Sequence, residues 1–251
     1  MQNREEWKPS KFVYKHGKLI GSRDPAELSV SSRLMADIIA DFYNRSLKDH
    51  ARGRLLDLGC GKVPFYATYR ELVSDAICVD WSNTAHKSKH LDWELDLTKD
   101  LPFDDNEFDT IILSDVLEHI PVPEHLWGEM ARILSKNGKI IMHVPFFYWL
   151  HEQPHDYYRY TEFALRRFVE ISGMRLIQLT PIGGAPEIMA DLFAKIVSRS
   201  RGIGRATALL SQWCAWNFIR TSVGKRVSDA TARLFPFGYF LIAEKAAKEG
   251  K

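Results

Sequence analysis

The residues best placed to do chemistry gather in one segment, HVPFFYWLHEQPHDYYRYT, which sets His151, His155, Asp156, Tyr157, Arg159 and Tyr160 within ten positions. Imidazole titrates near neutral pH and can take a proton from a hydroxyl, so His151 and His155 are the candidate bases. Tyr157, Arg159 and Tyr160 could bind an oxygen-rich acceptor. The competing reading pairs Arg159 with Asp156 and packs the tyrosines to hold the loop. Upstream, Asp115, Glu118 and His119 stand at i, i+3 and i+4. On a helix they would share a face, an arrangement open to a hard cation or to proton transfer. Capping or support of the site outweighs the cation, so no metal is expected, and His119 is grouped with the acceptor-binding residues.

A second constellation is built around a turn. In RLLDLGCG a short apolar run stops at Gly59-Cys60-Gly61, which lets a ligand approach backbone N–H groups closely, and Asp57 adds a carboxylate. Asp80 follows Gly61 by nineteen residues, at the end of the next apolar run, where an acid can accept hydrogen bonds from ribose hydroxyls. That pairing would serve a nicotinamide or flavin cofactor equally well. The third glycine of the dinucleotide pattern is absent, however, and Pro64 stands in its place, which favours a ligand without phosphates.

These residues need elements to hold them. Apolar spacing from Ser29 predicts an amphipathic helix capped by Ser29 or Ser31, and a helix is expected from about Pro64. RLLDL, DAICVD, a polar-ended piece in WELDLTKDLPF, Thr110–Leu113, GKIIMHVPF and RLIQLTPIG read as six strands. LWGEMARILSKNGK reads as a helix closed by Asn137 and Gly138. TEFALRRFVEISG reads as another, with Thr161 as N-cap and Gly173 past its end. FGYFLIAEKA supplies a last strand. Alternation of strands and helices implies a parallel sheet.

The ordered set LLDLGCG, VDWS, LDLTKDLPFDDNEFDTIILSDVLEHI and GKIIMHVPF resembles the successive motifs of class I S-adenosylmethionine-dependent methyltransferases. The resemblance covers about residues 50–180 and rejoins near Phe237. It implies a Rossmann-like α/β fold: a doubly wound sheet of seven strands, order 3-2-1-4-5-7-6, with the last strand antiparallel. It also implies S-adenosyl-L-methionine as cofactor. Asp57, Gly59, Cys60 and Gly61 would surround its methionine part, Asp80 its ribose, Trp81 and Leu97 its adenine, Asp96 the adenine amino group, and Ser114 the methionine end. Core packing is the alternative role for Trp81 and Leu97. The pattern PF-x-x-x-x-H-x-x-P-x-D-x-x-R-Y-T resembles methyltransferase-like proteins associated with bacterial surface polysaccharides, which implies a sugar or glycolipid hydroxyl as acceptor. Glu-x-x-Glu-His in some quinone-type methyltransferases is similar to the Asp115–His119 run.

The 251 residues, 45% apolar and 26% charged, suit one soluble domain with a formal charge of +2, too small to favour nucleic acid over the whole surface. Cys60, Cys78 and Cys214 lack zinc or disulfide spacing, and no leading apolar stretch is seen, so a cytoplasmic protein is expected. Its parts are a helical lead (1–49), a cofactor-binding core (50–183), a helical insertion between strands six and seven (184–235), and a final strand and tail (236–251). Between 194 and 233 Lys195, Arg199, Arg201, Arg205, Arg220, Lys225, Arg226 and Arg233 face only Asp229, a balance of about +7, while Leu209, Trp213 and Trp216 recur at helical spacing. This stretch is either a basic amphipathic surface for peripheral membrane contact or a lid packed on the sheet. An RNA methyltransferase and a non-catalytic cofactor-binding or scaffold protein are the rival readings.

Overall fold

The structure is a computed structural model that describes residues 1–82, 88–200 and 202–246. Arg201 and the tail from 247 lie outside the described residues.

The chain opens with an antiparallel hairpin, β1 (Phe12–Lys15) and β2 (Lys18–Gly21), where only a helix was expected. Its two-residue turn, His16-Gly17, has both φ angles positive, the geometry that matches hairpin twist. Helix α1 (Arg33–His50) follows a short 3-10 turn capped by the Ser29 side chain.

Seven strands form the main sheet: β3 (Arg54–Leu58), β4 (Asp75–Asp80), β5 (Trp93–Glu94), β6 (Phe108–Ser114), β7 (Leu134–Pro145), β8 (Met174–Ile182) and β9 (Gly238–Lys245). Their order is β5-β4-β3-β6-β7-β9-β8, the expected 3-2-1-4-5-7-6, and β9 runs antiparallel to both neighbours. Alternation along each strand splits the core. Leu56, Leu58, Ile111 and Leu113 pack on α3 (Pro123–Ile133) and α4 (Glu162–Ile171), while Leu55, Ile112 and Ile141 pack on α1. Asp57 follows that parity onto the α1 face, next to Tyr69 of the single-turn helix α2 (Tyr66–Tyr69).

Helix α3 ends at Ile133 and not at Asn137-Gly138. Leu134, fully buried, already pairs with Phe108, and Ser135 donates its hydroxyl to Asp109 at 2.7 Å, so the chain is extended four residues earlier than the helix-stop pattern implied. Thr161 caps α4 as expected, accepting from the Ala164 N–H.

Among its described residues the insertion carries three helices, α5 (Ala185–Val197), α6 (Gly204–Ile219) and α7 (Ser222–Thr231). It packs back on the lead. Buried Gln212 accepts from the Leu34 N–H at 2.8 Å and donates to the Val30 carbonyl at 2.5 Å. Lys195 does not belong to the basic surface. It is buried against Asp191 and lies over the rings of Tyr148 and Phe237.

Candidate active site

The C-terminal ends of the sheet strands open on a cleft of about 650 Å³. The strand order reverses at β3, so the crevice between the turns leaving β3 and β6 is where an open α/β sheet takes its ligand.

Gly59 begins the turn after β3 with φ +69°, and a Cβ there would stand 2.4 Å from Val116, so only glycine fits. The N–H groups of Gly59 and Cys60 donate to the Val79 carbonyl at 2.8 and 3.0 Å, which fastens the turn to β4. Asp80, at the end of β4, tightens it further by accepting from the Gly61 N–H at 2.8 Å and the Trp81 N–H at 2.7 Å. Asp57 is 3% exposed, and burial, reinforced by the Asp80 charge, pushes its carboxyl up to about 7. Two acids facing one cleft suit a ligand that offers hydroxyl and ammonium donors.

All the residues assigned to the cofactor line this cleft. Asp57, Gly59, Cys60 and Gly61 come from β3 and the turn after it, Asp80 and Trp81 from the end of β4, and Ser114 from the end of β6, with Asp96 and Leu97 from the loop after β5. Trp81 is 38% exposed, so core packing does not account for it, whereas Leu97 is buried and serves the core as well. Asp96 is held below the ordinary carboxylate range chiefly by the Thr98 hydroxyl, which donates to it at 2.7 Å.

The acceptor side departs from the sequence reading in several places. His155 lines the cleft, with its ring edge-on to Trp81 at 5.1 Å and Nδ1 3.2 Å from the Tyr157 hydroxyl. His119 and Tyr157 line it too. His151 instead lies behind the wall against His119, since the loop is irregular and its side chains follow no fixed period. Arg159 is committed to Asp156 in a two-pronged pair at 2.6 and 2.8 Å. Burial acts to raise the Asp156 carboxyl, but Arg159 and the His151 N–H hold it at about 2. Tyr160 is buried and donates to the Leu117 carbonyl at 3.0 Å. Arg159 and Tyr160 therefore fix the loop.

Asp115, Glu118 and His119 do not share a helix face. Asp115 takes φ +54°, which breaks the run, and only Leu117–His119 form a 3-10 turn. The Asp115 carboxylate turns to Lys11 at 2.9 Å and to His143 Nδ1 at 2.5 Å; against the cost of burial, those two hold it well below its usual range. Lys11 and His143 were missed in the sequence. Lys11 comes from the edge of a hairpin 104 residues away, and nothing local marks it.

Residues 56–142 match the protein family described as "Methyltransferase domain". The matched span runs from within β3 to within β7 and holds the glycine turn, Asp80, Asp96 and Ser114. The match makes that span methyltransferase-like, and S-adenosylmethionine is the cofactor of methyltransferases built on such a domain. A curated relative, an uncharacterized protein of Methanocaldococcus jannaschii, is 31% identical over 107 residues, which is 42% of this chain and 52% of that protein; the chain thus matches about half the length of this relative. Among solved structures, a SAM-dependent methyltransferase from Archaeoglobus fulgidus aligns with a TM-score of 0.52 at 15% identity, over 86% of this chain and 97% of the other. Phosphoethanolamine N-methyltransferase 2 of Haemonchus contortus, solved with S-adenosyl-L-methionine, gives 0.54 at 15% identity, over 90% and 59%. The 4+2 cyclase SpnF gives 0.56 at 17% identity, over 84% and 83%. At such identities the likeness establishes the fold, and the cyclase is a reminder that this fold does not by itself fix a reaction.

Proposed function

We propose that the chain transfers a methyl group from S-adenosylmethionine to a hydroxyl of a small acceptor, a saccharide or glycolipid. The observation that carries the reading is the Asp80 carboxylate, which clamps the glycine turn while facing the cleft of a methyltransferase-type domain. Asp80 would accept from ribose hydroxyls, Trp81 and Leu97 would flank the adenine, and Asp57 would meet the ammonium of the methionine part.

A bound cofactor would supply an activated methyl group on sulfur, and the residues of this chain would orient the acceptor hydroxyl toward it and take up the hydroxyl proton. What the protein adds is alignment and exclusion of water, which together provide most of the rate. Lys11, next to the hairpin, and the loop residues Glu152–His155 and Tyr157 line the cleft with the cofactor residues. His155 is the base in this reading, because it is the one of the two assigned histidines that faces the cleft.

A lipid-linked acceptor is supported by the insertion. Met189, Ile196, Ile203 and Trp213 are each at least 63% exposed, and the same segment exposes Arg199 and Arg205, a mixture suited to an anionic lipid surface more than to RNA. No helix among the described residues is long and apolar enough to cross a membrane.

The test follows a labelled methyl group from the cofactor into a panel of saccharides and glycolipids. His155→Ala is expected to lower kcat by about 100-fold and leave cofactor affinity unchanged. A loss of affinity with kcat intact would make His155 a cover for Trp81 and remove it from proton transfer.

A further inference from the structure

Behind the cleft wall a buried carboxylate and two imidazoles converge. Glu118 has no exposed surface, and neither carboxylate oxygen takes part in a hydrogen bond. Its main chain is pinned, since the backbone carbonyl accepts from the N–H groups of Tyr157 and Tyr158 at 3.0 and 3.2 Å. The carboxylate faces His119 and His151, whose Nε2 atoms each stand 3.7 Å from the same Oε1, beyond hydrogen-bond reach.

The opposite ring nitrogens fix the tautomers. His119 Nδ1 lies 2.9 Å from the His155 carbonyl and must donate to it, which leaves the buried Nε2 as a bare lone pair with no partner. His151 Nδ1 faces the Trp149 carbonyl at 3.2 Å and the Asp156 carboxylate at 3.3 Å, both acceptors, so its Nε2 is bare in the neutral ring. A histidine held by a carbonyl or carboxylate on its far nitrogen is the arrangement that orients imidazole toward a metal. One ligand atom from each of Glu118, His119 and His151 lies within 4.8 Å of the others.

We propose that Glu118, His119 and His151 bind one divalent transition-metal ion, zinc being the first choice. Two imidazoles and one carboxylate are too nitrogen-rich for magnesium or calcium, and three protein ligands leave a fourth position open. The cluster borders the cleft, since His119 and Glu152 line it and Glu152 Oε2 is 3.9 Å from His119 Nε2. The sequence spacing had offered Asp115 as the third ligand. The fold gives Asp115 to Lys11 and His143, and the loop after β7 brings His151 instead. The site stands independently of the methyl-transfer reading.

The test uses the full chain stripped with a chelator and titrated with Co²⁺ as spectroscopic probe, then with Zn²⁺. One equivalent of Co²⁺ should bind, develop visible d–d absorption and be displaced by Zn²⁺. Glu118→Gln and His151→Ala should each weaken Co²⁺ binding by roughly 100-fold. His125→Ala, on a histidine that pairs with Asp100 elsewhere, should not. S-adenosylhomocysteine affinity, read on every variant, reports whether the cofactor cleft is intact. His151→Ala alters a half-buried loop and serves if Glu118→Gln fails to fold. Absence of a one-to-one complex with Co²⁺ and Zn²⁺, or a complex indifferent to His151→Ala, overturns the site and leaves Glu118 facing a protonated His151.

Discussion

Asp57 and Asp80 show how single residues set the character of the cleft. The folded chain holds Asp57 at about 7, whereas an unfolded chain releases that proton near 4. Between these values the folded state binds more protons than the unfolded one, so ligand-free stability falls as pH rises from about 4 to 7, with a ceiling of about 4 kcal/mol. Asp57→Asn removes this loss. Its melting temperature should exceed that of the wild type by more at pH 8 than at pH 5, and an equal gap at both would show that Asp57 is already ionised. The cofactor residues were legible because the glycine turn and both acids lie at strand ends whose spacing the sequence displays. Lys11 and His143 were not, because their partner Asp115 is distant in the chain and turned by a positive φ. The choice between His151 and His155 depended on the path of an irregular loop, which residue types do not encode.

At the scale of elements, short apolar runs marked six of the strands and a polar-ended piece the two-residue β5, and the resemblance supplied their order. The lead was read as helical although Phe12–Gly21 carries a hairpin pattern around His16-Gly17. End positions were less legible: Asn137-Gly138 looks like a helix stop, but the burial of Leu134 against Phe108 ended α3 first. The attachment of the insertion is a testable case of tertiary structure that no local pattern reveals. Gln212→Ala leaves the Leu34 N–H and the Val30 carbonyl without their side-chain partner, and should cost about 2 kcal/mol in urea unfolding with an unchanged m value. A change below about 0.5 kcal/mol would mean that α6 is held by its apolar contacts alone.

For the molecule as a whole, the formal charge of +2 conceals an uneven distribution, with exposed Arg199, Arg205 and Lys225 in the same segment as exposed Ile196, Ile203 and Trp213. Such a surface should sediment with vesicles containing anionic phospholipid, release as salt rises, and ignore purely zwitterionic vesicles. Trp213→Glu, at a position 63% exposed, should weaken this binding without altering the fold. Equal sedimentation with neutral vesicles, or indifference to the substitution, would return the insertion to the role of a lid.

The central claim, that the cleft is built for S-adenosylmethionine, is tested most directly by calorimetry with S-adenosylmethionine and S-adenosylhomocysteine, and NADH as control. Binding of the sulfur compounds is expected in the micromolar range, about −8 kcal/mol, with a loss of at least about tenfold in Asp80→Ala. Binding of NADH with silence toward both sulfur compounds would contradict it and make the glycine turn a dinucleotide site.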